Sequence, residues 1–182
     1  MKVMSLRHEI LGILSYRNLT GYELTKFINS DGLFFWNAQQ SQVYREISKL
    51  EKEDMIVANS ESTESKKVFE VTDAGMEELK NWIETNDIQA SLEIKNPLVM
   101  KMFFANRGDL DGLIIQVEKY KSECKRMLAE IAISKNDILE MAENKMDSVF
   151  FTLNSYYGVG FYNFSIEWAD KCLKILNKLK GE

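Results

Sequence analysis

The stretch NAQQSQVYREISKLEKEDMIVANSESTESKKVFEVT, residues 37–72, decides the fold. Its first part sets Val43, Ile47 and Leu50 at helical spacing, which predicts a helix from near Asn37–Ser41 to about Glu53. Two short β-rich runs follow, Met55-Ile56-Val57 and Val68, Phe69 and Val71, either side of the polar run Asn59–Ser65. Together they read as a hairpin. Thr72 then caps a further helix, with Asp73 in the first turn, where its charge suits the helix dipole. That helix carries Met76, Leu79, Trp82 and Ile83.

Upstream, Val3, Leu6, Ile10, Ile13 and Leu14 predict a first helix over 3–16. The segment Asn18-Leu19-Thr20-Gly21 reads as a turn. Thr20 followed by Glu23 is a capping box, in which the hydroxyl caps an early amide and the carboxylate reaches back. A short second helix with Leu24, Phe27 and Ile28 on one side ends at Asn29-Ser30-Asp31-Gly32. Trp36 reads as an anchor for the loop ahead of the third helix. Three helices and a hairpin describe a winged helix-turn-helix, expected over residues 1–86.

Downstream, a polar connection at 85–95 marks the domain boundary, and residues 87–182 form the second domain. After Pro97, the only proline, an apolar helix runs from Leu98 to Phe104, and Asn106-Arg107-Gly108-Asp109 ends it and caps the next. From Asp109 to about Asn144, Leu110, Leu113, Val117, Tyr120, Cys124, Met127, Ile131, Ser134, Ile138 and Met141 recur in steps of three and four. This is a heptad seam on a rod of roughly 50 Å. The last helix, about Ser148 to Lys178, carries two apolar stripes. One holds Phe150, Leu153, Tyr157, Phe161, Phe164, Trp168, Ile175 and Leu179; the other holds Val159, Tyr162, Ile166, Ala169, Leu173 and Leu176. Two stripes need two surfaces to pack against: the preceding helix and, by this reading, a second chain. The expected fold is mainly α with a small β-hairpin, in which the long antiparallel C-terminal helices form a dimerisation domain.

With Val43 toward the core, about 100° per residue puts Ser41, Arg45, Ser48 and Lys52 on the opposite face of the third helix, with Gln42 and Lys49 at its edge. Polar hydrogen-bonders come first and cations later. That order suits a helix whose N-terminal side chains read base edges in the major groove while Arg and Lys hold phosphates. Lys66 and Lys67 open the second hairpin strand, where a wing can touch a neighbouring phosphate. The plain alternative is a solvated helix face on which Glu46, Glu51 and Glu53 pair with the cations.

These residues resemble the PadR family of bacterial transcriptional regulators along nearly the whole chain. Leu6 to Leu14 resembles its opening helix. Thr20-Gly21-Tyr22-Glu23-Leu24 resembles its small-Gly-Tyr-acidic-aliphatic motif, and Ser41 to Glu51 its recognition helix with its Tyr. Lys67 to Gly75 is similar to its wing strand and Thr-x-x-Gly entry, and Trp82 falls at the usual aromatic. Pro97 to Phe104 and Tyr156 to Trp168 resemble the subgroup with the longer C-terminal domain. Two positions depart from the pattern. Asp54 stands where Gly is common and φ is often positive, and Phe69 where Tyr is usual. The resemblance implies a homodimeric repressor on a pseudo-palindromic operator, with Tyr44 as a phosphate contact and packing residue.

Charge and composition bound the alternatives. The net charge is −5; residues 1–86 carry ten Lys and Arg against fourteen Asp and Glu, a net of −4. Binding to double-stranded DNA therefore requires positive charge gathered on one face. The acidic first domain also motivates an alternative, a winged-helix interaction or small-molecule-sensing module with weak DNA affinity. No apolar run reaches the about 18 residues of a membrane span, and the N-terminus lacks a signal-peptide pattern, so a cytoplasmic protein is expected. His8 is the sole histidine and Cys124 and Cys172 lack metal-ligand spacing, so no enzyme chemistry, metal or cofactor is expected. His8 reads as a structural residue and Cys124 as a small core residue. Gly158-Val159-Gly160 reads as a close helix approach or a kink. In the aromatic-rich last helix, Tyr157, Phe161, Phe164 and Trp168 could wall a site for a planar aromatic effector at a dimer interface; ordinary packing is the other reading.

Overall fold

In the computed structural model, residues 6–29, 38–60, 62–63, 66–85 and 96–181 are described. The readings at Val3, Trp36, Ser30-Asp31-Gly32 and Asn37, part of the wing loop and nearly all of the 85–95 connection lie outside them. The chain divides into two compact units, Met1–Leu92 and Glu93–Glu182.

The first unit is assembled around one apolar stripe from each helix. α1 (Leu6–Leu14) buries Ile10, Leu11, Ile13 and Leu14. α2 (Gly21–Ile28) buries Leu24 and Ile28, and α3 (Gln40–Lys52) buries Val43, Ile47 and Leu50. α4 (Asp73–Ile83) adds Leu79. These join Ile56 and Phe69 in a single cluster, where each large side chain taken from water contributes about 1.5–3 kcal/mol.

Capping sets the helix ends. Thr20 and Glu23 form the expected box: Glu23 N donates to Thr20 Oγ1 at 3.2 Å, and Thr20 N to Glu23 Oε2 at 2.8 Å. At the other end of α2, Asn29 makes two bonds to one residue. Its Nδ2 donates to Ala38 O at 2.9 Å, and its Oδ1 accepts from Ala38 N at 3.1 Å. α3 starts at Gln40, after a Gln39 cap.

β2 (Ile56–Ala58) and β3 (Val68–Val71) pair antiparallel, with Ile56 opposite Val71 and Ala58 opposite Phe69. The hairpin expectation is incomplete, because Leu19–Thr20 forms a strand, β1, pairing with β3 at Phe69 and Val68. The sheet order is β1-β3-β2. A two-residue strand is too short to show an alternating pattern, so the sequence displays only its turn residues.

The α3–β2 corner is tightly specified. Asp54 has φ 55°, as its place in the pattern suggested. Met55 N donates to Leu50 O at 2.9 Å and Asp54 N to Glu51 O at 3.2 Å, the paired bonds of a Schellman cap. Thr72 returns to this corner, its Oγ1 donating to Asp54 O at 2.7 Å and its N to Met55 O at 3.1 Å. It also caps α4, accepting from Gly75 N at 3.1 Å. A Cβ on Gly75 would lie 2.2 Å from Met55 O. Arg7 ties three helices, pairing bidentately with Glu78 and, through Nη1, with Glu53 at 2.7 Å. These partners raise the Arg7 pKa, while Arg7 holds the Glu78 carboxyl below its ordinary value. His8 stacks on Trp82 with centroids 4.7 Å apart, and burial lowers its pKa.

The second unit contains α5 (Pro97–Phe103), a 3-10 turn at Ala105–Arg107, α6 (Leu110–Leu139) and α7 (Lys145–Lys180). Asn96 N-caps α5 and donates to Tyr120 Oη at 3.3 Å. Asp109 caps α6. The reading of one helix to about Asn144 and the next from Ser148 needs correction. Asn144 Oδ1 accepts from Met146 N and Asp147 N, so this residue opens α7 rather than closing α6. α6 and α7 pack antiparallel, shown by Asp111 with Lys180 at 2.6 Å, Tyr120 Oη with Ser165 Oγ at 3.2 Å, and Lys121 with Asp170. The α6 seam faces inward at Leu113, Val117, Cys124 and Ile131. From α7, Ala169 and Leu176 of the second stripe are buried, as are Gly158 and Ser165. Phe150, Leu153, Tyr157, Phe164, Ile175 and Leu179 of the first stripe are each more than half exposed.

Two stability experiments follow from the first unit. Gly75→Ala drives a methyl into a backbone carbonyl and is expected to cost about 3 kcal/mol in urea unfolding. Burial pushes the Glu9 carboxyl up to about 7, and its Oε1 has no hydrogen-bond partner among the described residues. The folded chain therefore keeps a proton that the unfolded chain releases near 4.5; the associated stability is full below that pH and is lost as pH rises toward 7. Glu9→Gln should melt higher than the parent at about pH 8 and no higher at about pH 4.

Candidate nucleic-acid interface

α3 turns its stripe of Val43, Ile47 and Leu50 into the core, which leaves Ser41, Gln42, Arg45, Ser48, Lys49 and Lys52 exposed. Several of these side chains already have internal partners. Gln42 Oε1 accepts from Gln39 N at 2.9 Å, so the amide closes the first turn of its own helix. Ser48 Oγ donates to Tyr44 O at 2.9 Å. Lys49 pairs with Glu46 at 3.1 Å. Arg45 and Lys52 have no ion-pair partner among the described residues.

Tyr44 is 42% exposed, and its ring lies over the start of α2. A Cβ on Gly21 would come within 2.9 Å of Tyr44 Cε1, so the glycine leaves the room that the ring occupies. The next residue, Tyr22, is 65% exposed. Exposure on a helix's first turn leaves no pattern in the sequence. Arg17 lies over the Phe27 ring at 4.9 Å.

The wing lysines face their own unit. Lys67 pairs with Glu51 of α3, and its ammonium is 5.5 Å from the centroid of the Phe69 ring. Lys66 lies 4.0 Å from Glu23 of α2. Both are half or more exposed, so these pairs are solvent-screened and each is worth at most about 1 kcal/mol.

In the second unit, the four residues expected to wall an effector site sit on one side of α7. Tyr157 and Phe164 are exposed. Phe161 is half-buried and edge-on to Tyr162, and Trp168 is half-buried and edge-on to Tyr120 at 5.9 Å. A cleft of about 320 Å³ lies elsewhere in this unit, lined by Met100, Lys101, Phe104, Arg107, Leu113 and Gln116 among others, and by none of these four. Burial pushes the Cys124 and Cys172 thiols up, away from the reactive thiolate. Among the described residues, no group of three His, Cys, Asp or Glu is placed to hold a metal, and no helix is long and apolar enough to cross a membrane.

Three helices, a three-stranded sheet whose hairpin follows the third helix, and a polar, partly cationic outer face on that helix define a winged helix-turn-helix protein. Residues 10–81 match the transcriptional regulator PadR-like family, and residues 94–177 match the C-terminal domain of virulence activator alpha. The chain is 31% identical over 102 residues to the negative transcriptional regulator PadR of Bacillus subtilis; that match covers 54% of this chain and 56% of the relative. B. subtilis PadR solved with operator DNA superposes with a TM-score of 0.72 at 22% identity, covering 92% of this chain and 97% of the other. The Vibrio cholerae virulence activator AphA gives 0.70 at 24% identity, covering 96% and 99%. At these identities the likeness to the solved structures establishes the fold. Residues 10–81 thus carry a domain similar to the PadR-like family of transcriptional regulators, and residues 94–177 resemble the longer C-terminal helical domain that accompanies it in one subgroup.

The packing of Tyr44 on Gly21 can be isolated by a double-mutant cycle. Gly21→Ala should cost about 1–2 kcal/mol in the parent and much less in a Tyr44→Ala background, measured by urea unfolding.

Proposed function

We propose that the chain is a homodimeric DNA-binding repressor, working in the cytoplasm on a pseudo-palindromic operator. The observation that carries this is α3. Its apolar stripe is wholly committed to the core, and its opposite face presents Ser41, Arg45, Ser48 and Lys52 to solvent. In this reading Arg45 reads a base edge or grips a phosphate, while Lys49 and Lys52 take phosphates. Ser41, Gln42 and Ser48 supply hydrogen bonds near the groove. Tyr44 positions the helix on a phosphate, and Lys66 and Lys67 serve the wing. The relative solved with operator DNA supports DNA as the partner.

Residues 87–182 supply dimerisation. The uncovered α7 stripe is a long run of large apolar side chains, the kind of surface a soluble chain covers with a partner. A second copy presenting the same stripe would bury both and pair two α3 helices for the two half-sites. B. subtilis PadR has also been solved with p-coumaric acid. That supports a small aromatic effector, with Tyr157, Phe161, Phe164 and Trp168 as its candidate walls. An effector that favours one dimer geometry would shift DNA affinity through the spacing of the two heads.

The test is binding to duplex DNA from the chain's own upstream region, by fluorescence anisotropy across a salt series. Tight binding that survives random competitor and weakens steeply with salt is the expected result. Arg45→Ala should weaken it by about 1–3 kcal/mol. An unchanged affinity would remove Arg45 from the interface.

A further inference from the structure

The cations of this surface are not presented bare. On one flank of α3, Glu46 holds Lys49 at 3.1 Å. On the other, Glu51 holds Lys67 of the wing. Glu23, at the start of α2, lies 4.0 Å from Lys66. Every lysine of the wing base, and one of the two on α3, therefore stands beside a carboxylate of its own unit. Glu46 is the most enclosed of the three acids, with its side chain only 14% exposed.

We infer that Glu46 and Glu51 act as built-in counter-ions that screen the DNA-facing lysines, lowering affinity for arbitrary duplex and so raising the discrimination of the regulator. The inference rests on the DNA-binding reading and deepens it. A lysine that moves from a carboxylate to a phosphate exchanges one ion pair for another. The gain is smaller than for a lysine paired only with water and mobile ions. The carboxylate also stays close to the phosphate it has been displaced by, and like charges about 4 Å apart repel even in water. Non-specific binding consists almost entirely of phosphate contacts, so it bears this penalty in full. At an operator, base contacts from the uncovered centre of α3, where Arg45 has no ion-pair partner among the described residues, offset it. The same acids contribute to the net charge of −4 over residues 1–86. On this view the acidity of the domain is concentrated where it tunes binding.

The experiment compares the full-length parent, the E46Q/E51Q double variant and an E118Q/E167Q control. The control makes the same charge change at exposed positions of the second unit. Each is titrated onto a short random-sequence duplex and onto the upstream-region duplex over a salt series, and its melting temperature is checked. E46Q/E51Q should bind the random duplex about five- to tenfold more tightly at low ionic strength. Its log–log salt slope should steepen by nearly two, one lysine freed per acid removed. The upstream duplex should gain less, so the specificity ratio falls; the control should stay within about twofold of the parent. If the parent binds its upstream duplex and E46Q/E51Q gains nothing on random DNA, or no more than the control, the screening role is overturned while the DNA-binding reading stands. If no variant binds any duplex at low salt, both fall.

Discussion

The carbonyl of Met55 is the point on which the first unit depends. Three pieces of chain converge there within a few ångströms. α3 ends in a Schellman cap that only a left-handed Asp54 allows. The amide of Thr72 donates to the carbonyl from the end of β3, and Gly75 brings the first turn of α4 against it with no room for a side chain. Because the α3–β2 turn and the β3–α4 turn share this corner, the angle between α3 and the β2–β3 hairpin is set by backbone geometry. Arg7 reinforces the corner from the other side, joining α1 to Glu78 on α4 and to Glu53 at the end of α3. Losing the fit at the corner would disturb α3 and the β2–β3 hairpin together.

Charge in this unit is sorted by task. The pairing of Arg7 with Glu78 is half-buried and bidentate, a geometry in which charge-assisted bonds are stronger than exposed pairs. The pairs at Lys49, Lys66 and Lys67 are exposed and exchangeable. An acidic domain can therefore carry exposed cations on one face, because its structural pair at Arg7 is separate from the exposed pairs at Lys49, Lys66 and Lys67.

Much of this was legible in the sequence where local chemistry determines the outcome. The Thr20–Glu23 box, the Thr72 cap, the positive φ at Asp54 and the buried stripe of α3 all depend on residues a few positions apart, and each appears as expected. The α6 seam was readable for the same reason, since burial at heptad spacing repeats. What was not legible depends on tertiary proximity. β1 exists because β3 offers a partner, and its two residues carry no period. The α6–α7 boundary was displaced because Asn144 can read as the end of one helix or the cap of the next. The outer polar face of α3 was found correctly, but Gln42 spends its amide on Gln39, and Lys67 reaches sixteen residues back to Glu51. Rotamer and partner choices of that kind are decided by the assembled surface and not by spacing.

The two bonds between Asn29 and Ala38 carry a consequence for how the protein can change. One side chain imitates a rung of β-ladder and ties the end of α2 to the entrance of α3 across the intervening residues. The relative placement of the two helices is thus anchored at the base of the connection as well as through the core. Over evolutionary time the end of α2 and the entrance of α3 stay in register so long as Asn29 is retained.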